Sequence, residues 1–257
     1  MLEKAKDWAV EAGKMSLELS KGSLDITYKT SPSDLVTKVD KEVERFLVKE
    51  ILHHYPNHGI VGEEGTFEKK PDDFDTIWII DPIDGTTNFV HQQLNYVISI
   101  ALVHQGEGIF GVIYDPSRQE MFWGYRGEGA YLDDKRLQIS RLDRLEEALL
   151  CTGLFWNRKI EKTKLLETIY QLPKQCRGIR VYGCAALELA YIAAGRLDAY
   201  VSLGLNPWDF AAGLIIVEEA GGVVTTWKGD PLSFNQAGSL IAANPGLHHQ
   251  LLPFLQK

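Results

Sequence analysis

Two aspartates stand close together where an apolar stretch of the sequence ends. Residues 78–80 are Trp-Ile-Ile, and Asp81 and Asp84 follow within the run Asp-Pro-Ile-Asp-Gly-Thr-Thr-Asn-Phe that ends at Phe89. A short, continuously apolar segment is typical of a strand covered on both faces. Because Pro82 favours an extended residue before it and a helical turn after it, the strand is predicted to end at Asp81. The spacing then places both carboxylates on one side of the turn.

The groups around these two acids suit a divalent cation and a phosphate together. In the predicted turn, the carbonyl of Ile83 lies between the carboxylates, and the amides of Gly85 and Thr86 face outward. Neighbouring carboxylates repel in a dry cleft, which a divalent cation relieves, and amides at a helix start suit a phosphate oxygen. An ordinary turn is the alternative, since Asp-Pro-x-Asp-Gly is also a turn sequence. The apolar strand before it and the hydroxyls after it favour a site.

Two further acids stand at the ends of predicted elements. Glu63 follows the brief apolar segment 59–62, and Asp209 opens a helix rich in small residues, which would let another element approach closely. Taken alone, Asp209 can also be interpreted as an ordinary helix cap. The same alternative applies to Asp34 and Thr37, which precede an earlier helix. Ligand sets made of oxygen alone select Mg²⁺, Mn²⁺ or Ca²⁺. Two such ions about 3.5 to 4 Å apart can activate a water and stabilise a leaving alkoxide, so the acids together predict phosphate ester hydrolysis.

The pattern of elements changes near residue 140. Residues 1–140 are predicted as an α+β half with two amphipathic helices and an antiparallel sheet of hairpins, and residues 141–257 as an α/β half with alternating strands and helices. The polar segment 66–75 is predicted to be a surface loop. Gly106, Gly108 and Gly111 form a formal G-x-G-x-x-G, but no helix follows, so they are interpreted as hairpin glycines.

Composition excludes several classes of function. The chain has 257 residues, 45% of them hydrophobic, and a formal net charge of -8, which argues against nucleic acid as the main partner. Its three cysteines lack the spacing of a zinc site or a disulfide framework, so a cytoplasmic location is predicted. No apolar run is long enough to span a bilayer, so no membrane partner is expected. His248 and His249 are predicted to lie on the surface.

Several segments, in the same order, resemble the inositol monophosphatase family. The similarity runs over nearly the whole chain, and its motifs are Ser31-Pro32-x-Asp34-Leu35-Val36-Thr37, Gly62-Glu63-Glu64, Asp81 to Phe89, Trp208-Asp209-x-Ala211-Ala212-Gly213, Glu219-Ala220-Gly221-Gly222 and Leu240-Ile241-Ala242-Ala243-Asn244. The resemblance implies a layered αβαβα fold with a mixed sheet in the second half. It also implies magnesium-dependent phosphatase activity, lithium inhibition and a homodimer.

The resemblance also implies which residues hold metal. Carried over residue by residue, Glu63, Asp81 and the Ile83 carbonyl would hold a first Mg²⁺. Asp81, Asp84 and Asp209 would hold a second, and Glu63 would touch a third, weaker ion. The expected cofactor is therefore two or three Mg²⁺ per site.

Catalytic and substrate-binding residues are implied in the same way. Thr86, with Asp40 behind it, would orient and deprotonate the attacking water, with Glu63 as the third catalytic residue. Lys29 matches a family lysine near the site. The residues implied to contact the substrate are Asp84, Gly85, Thr86, Gly183, Cys184, Ala185, Ser202 and Asp209.

One departure from the family pattern falls in the substrate pocket. Animal enzymes have a glutamate that binds inositol hydroxyls where this chain has Ser202, which is shorter and neutral. The leading hypothesis is hydrolysis of inositol 1-phosphate to inositol and phosphate. Fructose 1,6-bisphosphatase, nucleotide 3'-phosphatase and NADP(H) phosphatase activities stay open, so the substrate is a small phosphorylated polyol, sugar or nucleotide. A hypothesis of a different class is a non-catalytic, metal-stabilised binding protein.

Overall fold

The computed structural model describes residues 1–22, 24, 26–28, 35–67, 73–153 and 164–256. Three sequence predictions concern positions outside these residues: the role of Lys29, the cap at Asp34, and the middle of the loop 66–75. Within the described part, no helix is both long enough and apolar enough to cross a bilayer.

The chain begins with α1 (Leu2–Leu19), the short antiparallel pair β1 (Thr27–Tyr28) and β2 (Leu35–Val36), and α2 (Lys38–His54). Among the described residues, seven strands then form the larger sheet, in chain order: β3 (Gly59–Gly62), β4 (Thr76–Asp84), β5 (Val97–His104), β6 (Glu107–Asp115), β7 (Glu120–Tyr125), β8 (Gly129–Leu132) and β9 (Lys135–Arg136). The short helix α3 (Thr86–Gln92) connects β4 to β5. The predicted hairpins are confirmed as β5–β6 and β7–β8. Strand β4 is antiparallel to β5, whereas β3 pairs parallel with β4.

A second, smaller sheet follows a 3-10 turn at Leu145–Glu147. In the described part its order is β11-β10-β12-β14-β13, and its elements are β10 (Leu149–Thr152), α4 (Lys164–Gln175), β11 (Gly178–Arg180), α5 (Ala185–Ala193), β12 (Ala199–Leu205), α6 (Pro207–Glu219), β13 (Val223–Thr225), β14 (Gly238–Ala243) and α7 (Pro245–Leu255). Strand β10 is parallel to both neighbours, and β14 is antiparallel to both of its own. The predicted mixed sheet is confirmed.

The described elements stack in the expected αβαβα layers. Helices α1 and α2 cover one face of the larger sheet, α5 and α6 fill the space between the sheets, and α4 and α7 cover the smaller sheet. The packing of strand β4 explains why its apolar run is continuous. Trp78 and Ile80 pack toward α1 and α2, and Ile79 packs toward α5 and α6, so both faces are buried.

Glycines let α6 lie very close to the larger sheet. A Cβ on Gly111 of β6 would lie 2.4 Å from the carbonyl oxygen of Ala212, and one on Gly124 of β7 would lie 3.1 Å from the Cα of Ile216. The small residues of α6 were predicted to allow such an approach. Gly106 does occupy a hairpin turn with φ of 79°, but Gly108 and Gly111 lie beneath α6, so their interpretation as simple hairpin glycines was incomplete.

Candidate active site

Strand β4 continues past the proline at which it was predicted to end. Asp81 pairs with Ser99 and Asp84 with Val97 of β5, with an irregularity between the two pairs. Such a bulge accommodates Pro82, which has no N–H to donate to the ladder. The prediction that Asp81 and Asp84 share a helical turn was therefore wrong. Helix α3 starts only after Gly85, whose φ of 90° favours glycine.

Asp81 is the most strongly perturbed acid of the site. It is 1% exposed, and its Oδ1 accepts the amide of Ile83 at 3.0 Å. Burial raises its pKa well above the ordinary value, and the negative charges of Glu63, Asp84 and Asp209 raise it further. The three other acids that the sequence placed at element ends therefore lie near enough to Asp81 for their charges to act on it.

Asp84 is held by the second half of the chain. Its Oδ2 accepts the Ala186 amide at 2.6 Å and lies 3.3 Å from the Sγ of Cys184. Burial raises the pKa of Asp84 to about 6, although these hydrogen bonds oppose the shift. Cys184 is 1% exposed, so its side chain is turned onto Asp84. Its predicted contact with substrate is not tested and stays a prediction.

Thr86 and Asp40 are joined as the family resemblance implied. The Thr86 hydroxyl donates to Asp40 Oδ1 at 3.1 Å and lies 3.1 Å from the Ile83 carbonyl. Asp40 Oδ2 accepts the Thr37 amide at 2.9 Å and the Thr37 hydroxyl at 2.5 Å. Thr37 is also the N-cap of α2, because its Oγ1 accepts the Val39 and Asp40 amides. Burial raises the pKa of Asp40, and the Thr37 and Thr86 hydrogen bonds lower it in part. The carboxylate therefore holds Thr86 in one orientation.

Glu44 anchors the segment that carries Glu63, a role that sequence reasoning missed. Its Oε2 accepts the Glu64 amide at 2.8 Å, and its Oε1 accepts the Thr66 amide at 2.8 Å and the Thr66 hydroxyl at 2.7 Å. A Cβ on Gly62 would lie 2.5 Å from Glu44 Oε2, so a larger residue there would displace the Glu44 carboxylate from these hydrogen bonds. One signal was available, because Glu44 follows Asp40 by one helical turn and so lies on the buried face of α2.

Asp209 lies in the first turn of α6, and its Oδ2 accepts the amide of Asn206 at 2.7 Å. The N-cap of α6 is Asn206, so the alternative interpretation of Asp209 as the N-cap was wrong, and Asp209 instead completes a capping box from the third position of the helix. It is compatible with a site role, because the charge of Asp209 also acts on Asp81. The capping bond fixes the carboxylate at the end of the helix nearest the other acids.

The predicted substrate side is less open than expected. Gly183 has a φ of 73° and is exposed, whereas Ala185 is buried and Ser202 is 4% exposed. A Cβ on Gly153 would lie 3.6 Å from the Ser202 Oγ.

Sequence reasoning missed Glu188, which is 1% exposed and accepts the Tyr182 amide at 2.7 Å. Burial raises its pKa to about 7. The available signal was a single acid within the apolar helix α5.

The histidine prediction was wrong at one position. His248 is buried, and its Nε2 lies 2.8 Å from the Thr225 hydroxyl. Burial lowers the pKa of His248, which fits a neutral ring in a structural role.

The donor set fits a hard divalent cation. The groups here are carboxylates and a backbone carbonyl, and the pKa values of Asp81 and Asp84 are raised first by burial and then by neighbouring negative charge, which a cation would relieve. No three His, Cys, Asp or Glu side chains in the described segments are grouped closely enough to hold an ion by themselves. Mg²⁺ does not need a complete set of protein ligands, because it keeps several waters and binds one or two carboxylates together with phosphate oxygens.

Comparisons with known proteins agree with this architecture. The model of the inositol monophosphatase family matches residues 1–257. The chain is 44% identical over 249 residues to the Bacillus subtilis protein named inositol-1-monophosphatase, covering 96% of this chain and 92% of that protein. It is 44% identical over 206 residues to the Thermotoga maritima protein named fructose-1,6-bisphosphatase/inositol-1-monophosphatase, covering 80% of this chain and 76% of that protein.

A solved structure of inositol monophosphate-bound SaIMPase-II has the same fold. It superposes with a TM-score of 0.86 at 34% identity, covering 98% of this chain and 92% of that chain. The layered fold and these relatives define the class of the protein as a phosphatase that hydrolyses phosphate monoesters. The chain belongs to the inositol monophosphatase family.

Proposed function

We propose that this phosphatase depends on Mg²⁺ and hydrolyses inositol 1-phosphate to inositol and phosphate. The observation that carries the proposal is the hydrogen bond between Thr86 and Asp40, together with the charges of Glu63, Asp84 and Asp209 that act on the buried Asp81. The names of the relatives support the substrate, and the oxygen-only donor set supports Mg²⁺ over zinc.

In the proposed site, two or three Mg²⁺ ions are held by Glu63, Asp81, the Ile83 carbonyl, Asp84 and Asp209. When bound, such ions lower the pKa of water and stabilise the charge on the phosphate and on the leaving oxygen.

The chain's own groups orient the attacking water. The Thr86 hydroxyl donates a hydrogen bond to Asp40, so the lone pairs of its oxygen point away from Asp40. These lone pairs can accept a hydrogen bond from the water. The amides of Gly85 and Thr86, at the start of α3, are proposed to bind phosphate oxygens. Glu63 is the third proposed catalytic residue.

The alcohol side of the substrate is proposed to contact Gly183, Cys184, Ala185 and Ser202. Ser202 offers one neutral hydroxyl, which discriminates among polyols less sharply than a carboxylate. Fructose 1,6-bisphosphate is the second candidate substrate, because the Thermotoga maritima relative carries both activities in its name. Nucleotide 3'-phosphates and NADP(H) are weaker candidates of the same chemistry.

Further features belong to the same proposal. Cys151, Cys176 and Cys184 are free thiols, which supports a reducing, cytoplasmic location. A homodimer, lithium inhibition and the absence of a nucleic-acid partner are proposed with it. We also propose that the chain is divided into two halves. Residues 1–140 carry most of the metal ligands, and residues 141–257 carry Asp209 and the substrate pocket.

Phosphate release from the four substrate classes, measured with Mg²⁺ and with EDTA, tests the proposal. We expect the highest kcat/KM for inositol 1-phosphate, no release in EDTA, and loss of release in Asp84→Asn. Asp134→Asn, in the exposed turn between β8 and β9, is the matched control and should match the wild type. A wild-type protein that hydrolyses none of the esters, or an Asp84→Asn variant as active as Asp134→Asn, would overturn the proposal.

A further inference from the structure

Asn88 connects the two halves of the chain next to the candidate site. It lies in α3, two residues after Thr86, and its Nδ2 donates to the Asn95 carbonyl at 2.8 Å and to the Tyr182 carbonyl at 2.7 Å. The Gly183 carbonyl is a more distant neighbour at 3.5 Å. A single side-chain amide therefore joins the segment after β4 to the turn that opens α5.

The chemistry of its partners fixes the orientation of this amide. All three neighbours are carbonyl oxygens, which can only accept, so the NH₂ group must face them. Its two N–H bonds are used by the two short contacts. An aspartate has the same shape but places an acceptor against these carbonyls, so Asn88→Asp removes both hydrogen bonds without changing the volume of the side chain.

The backbone of Tyr182 is held at its amide as well as at its carbonyl. Its carbonyl accepts from Asn88, and its amide donates to the buried carboxylate of Glu188 at 2.7 Å. The two successive peptide units on either side of the Tyr182 Cα are thus held, one by α3 of the first half and one by α5 of the second. Because the Tyr182 carbonyl belongs to the planar peptide that links Tyr182 to Gly183, holding it also sets the direction in which the chain enters Gly183.

The turn that follows is the one that orients Asp84. The Cys184 thiol lies 3.3 Å from both the carbonyl and the Oδ2 of Asp84, and the Ala186 amide donates to that Oδ2 at 2.6 Å. The contacts therefore run from Asn88 through the backbone of Tyr182 and the turn to Asp84. A carboxylate held in this way presents its remaining oxygen in one direction.

We propose that Asn88 is a positioning residue that sets the orientation of Asp84 toward its metal by holding the Tyr182 carbonyl across the two halves. Asn88 itself touches neither metal nor phosphate in this assignment. The inference rests on the proposed function only in taking Asp84 as a ligand of a divalent cation. Groups that orient metal ligands commonly contribute 10- to 100-fold to metal affinity or activity.

The test compares Asn88→Asp with Asn244→Asp. Asn244 also donates its Nδ2 to a carbonyl, that of Leu142 at 2.6 Å, and is nearly buried, but its contacts lie at the start of α7. The two variants thus make the same chemical change at two places. Asn88→Ser, which removes the amide without adding a charge, replaces Asn88→Asp if the latter does not fold.

Three quantities are measured for each variant: the Kd of Mg²⁺ by calorimetry, kcat/KM as a function of Mg²⁺ concentration, and the urea midpoint. For the Asn88 variants we expect the Mg²⁺ Kd to rise about 10-fold or more, and kcat/KM at fixed Mg²⁺ to fall about 10- to 100-fold. Excess Mg²⁺ should restore part of the rate, because mass action compensates for weaker binding. Asn244→Asp should change the urea midpoint but keep the Mg²⁺ Kd and kcat/KM within about twofold.

Two results would overturn the positioning role. One is a Mg²⁺ Kd within twofold of wild type in folded Asn88 variants, since Asn88 would then stabilise the fold only. The other is an equal loss of Mg²⁺ affinity in Asn244→Asp, since the effect would then be general. If the wild type binds Mg²⁺ but hydrolyses none of the esters, the proposed function fails and calorimetry still decides the role of Asn88.

Discussion

Adding one methyl group at Gly111 should separate α6 from the larger sheet. The new Cβ would lie 2.4 Å from the Ala212 carbonyl oxygen and 2.8 Å from its Cα, whereas ordinary contacts begin at 3.4 Å. Both opposing atoms belong to backbone and cannot rotate away. The helix must therefore move by about 1 Å, and overpacking of this kind costs about 1 to 3 kcal/mol of the free energy of unfolding.

The same movement should weaken metal binding. Asp209 lies in the same helix, within one turn of Ala212, and its charge is one of those that act on Asp81. A displacement of about 1 Å of a group that must meet a fixed geometry can cost up to about 100-fold in rate. We therefore expect Gly111→Ala to raise the Mg²⁺ concentration at half-maximal phosphate release at least tenfold.

Gly238→Ala is the matched control. No atom lies within 4 Å of a Cβ built at Gly238, so the same methyl meets open space there. It should leave stability unchanged or raise it by up to about 1 kcal/mol through the unfolded state. Urea unfolding and Mg²⁺ titration of phosphate release are measured on both variants. If Gly111→Ala and Gly238→Ala have the same stability, or if Gly111→Ala is destabilised yet keeps the wild-type Mg²⁺ dependence, the reasoning about α6 is refuted.

Three further predictions concern single side chains. Thr86→Ala should lower kcat by about 10²- to 10⁴-fold with an unchanged Mg²⁺ Kd, whereas Thr86→Ser keeps the hydroxyl and most of the rate; equal rates in both variants would contradict the proposed role of the hydroxyl. Glu44→Ala should lower the free energy of unfolding by about 2 to 3 kcal/mol and raise the Mg²⁺ Kd, because three hydrogen bonds to the segment after Glu63 are lost. Urea unfolding measures the first effect and calorimetry the second. An unchanged Mg²⁺ Kd would show that Glu44 does not support the site. Glu188 has its pKa raised from 4.5 to about 7 in the folded protein, so its contribution to stability is complete below pH 4.5 and is lost as the pH rises to about 7. That loss amounts to roughly 3 kcal/mol, and in EDTA the stability of Glu188→Gln should decline less than that of wild type over this range; parallel curves in urea unfolding would show that Glu188 does not titrate in this way.

Local patterns in the sequence were enough to predict the helices and strands and to single out most of the acids of the candidate site. The continuous apolar run of β4 predicted burial on both faces, and the structure shows Ile79 and Trp78 packed on opposite sides. A pair of glycines after an apolar helical segment is typical of a helix end, and Gly221 follows the last residues of α6 with a φ of 93°. These features depend on neighbours within one turn or one strand, which the sequence displays directly.

The end of β4 was predicted wrongly because the decisive partner lies elsewhere in the chain. Proline disfavours a ladder position when a strand is considered alone, but β5 runs beside Asp81 and Asp84 and pairs with both around the bulge. The contacts of Asn88 and Glu188 were missed for the same reason. Their shared partner is the backbone of Tyr182, and no side-chain pattern in the sequence marks it.

The layer of α5 and α6 has a consequence for how the protein unfolds. Its hydrophobic core takes Ile79 and Phe122 from the larger sheet, and Tyr200 and Leu240 from the smaller one. A fragment containing only one sheet would leave its inner face in water, so neither fragment has the apolar burial needed for independent stability. The two sheets should therefore melt in one cooperative transition, and the candidate site, assembled from both, should be lost at the same temperature as the fold.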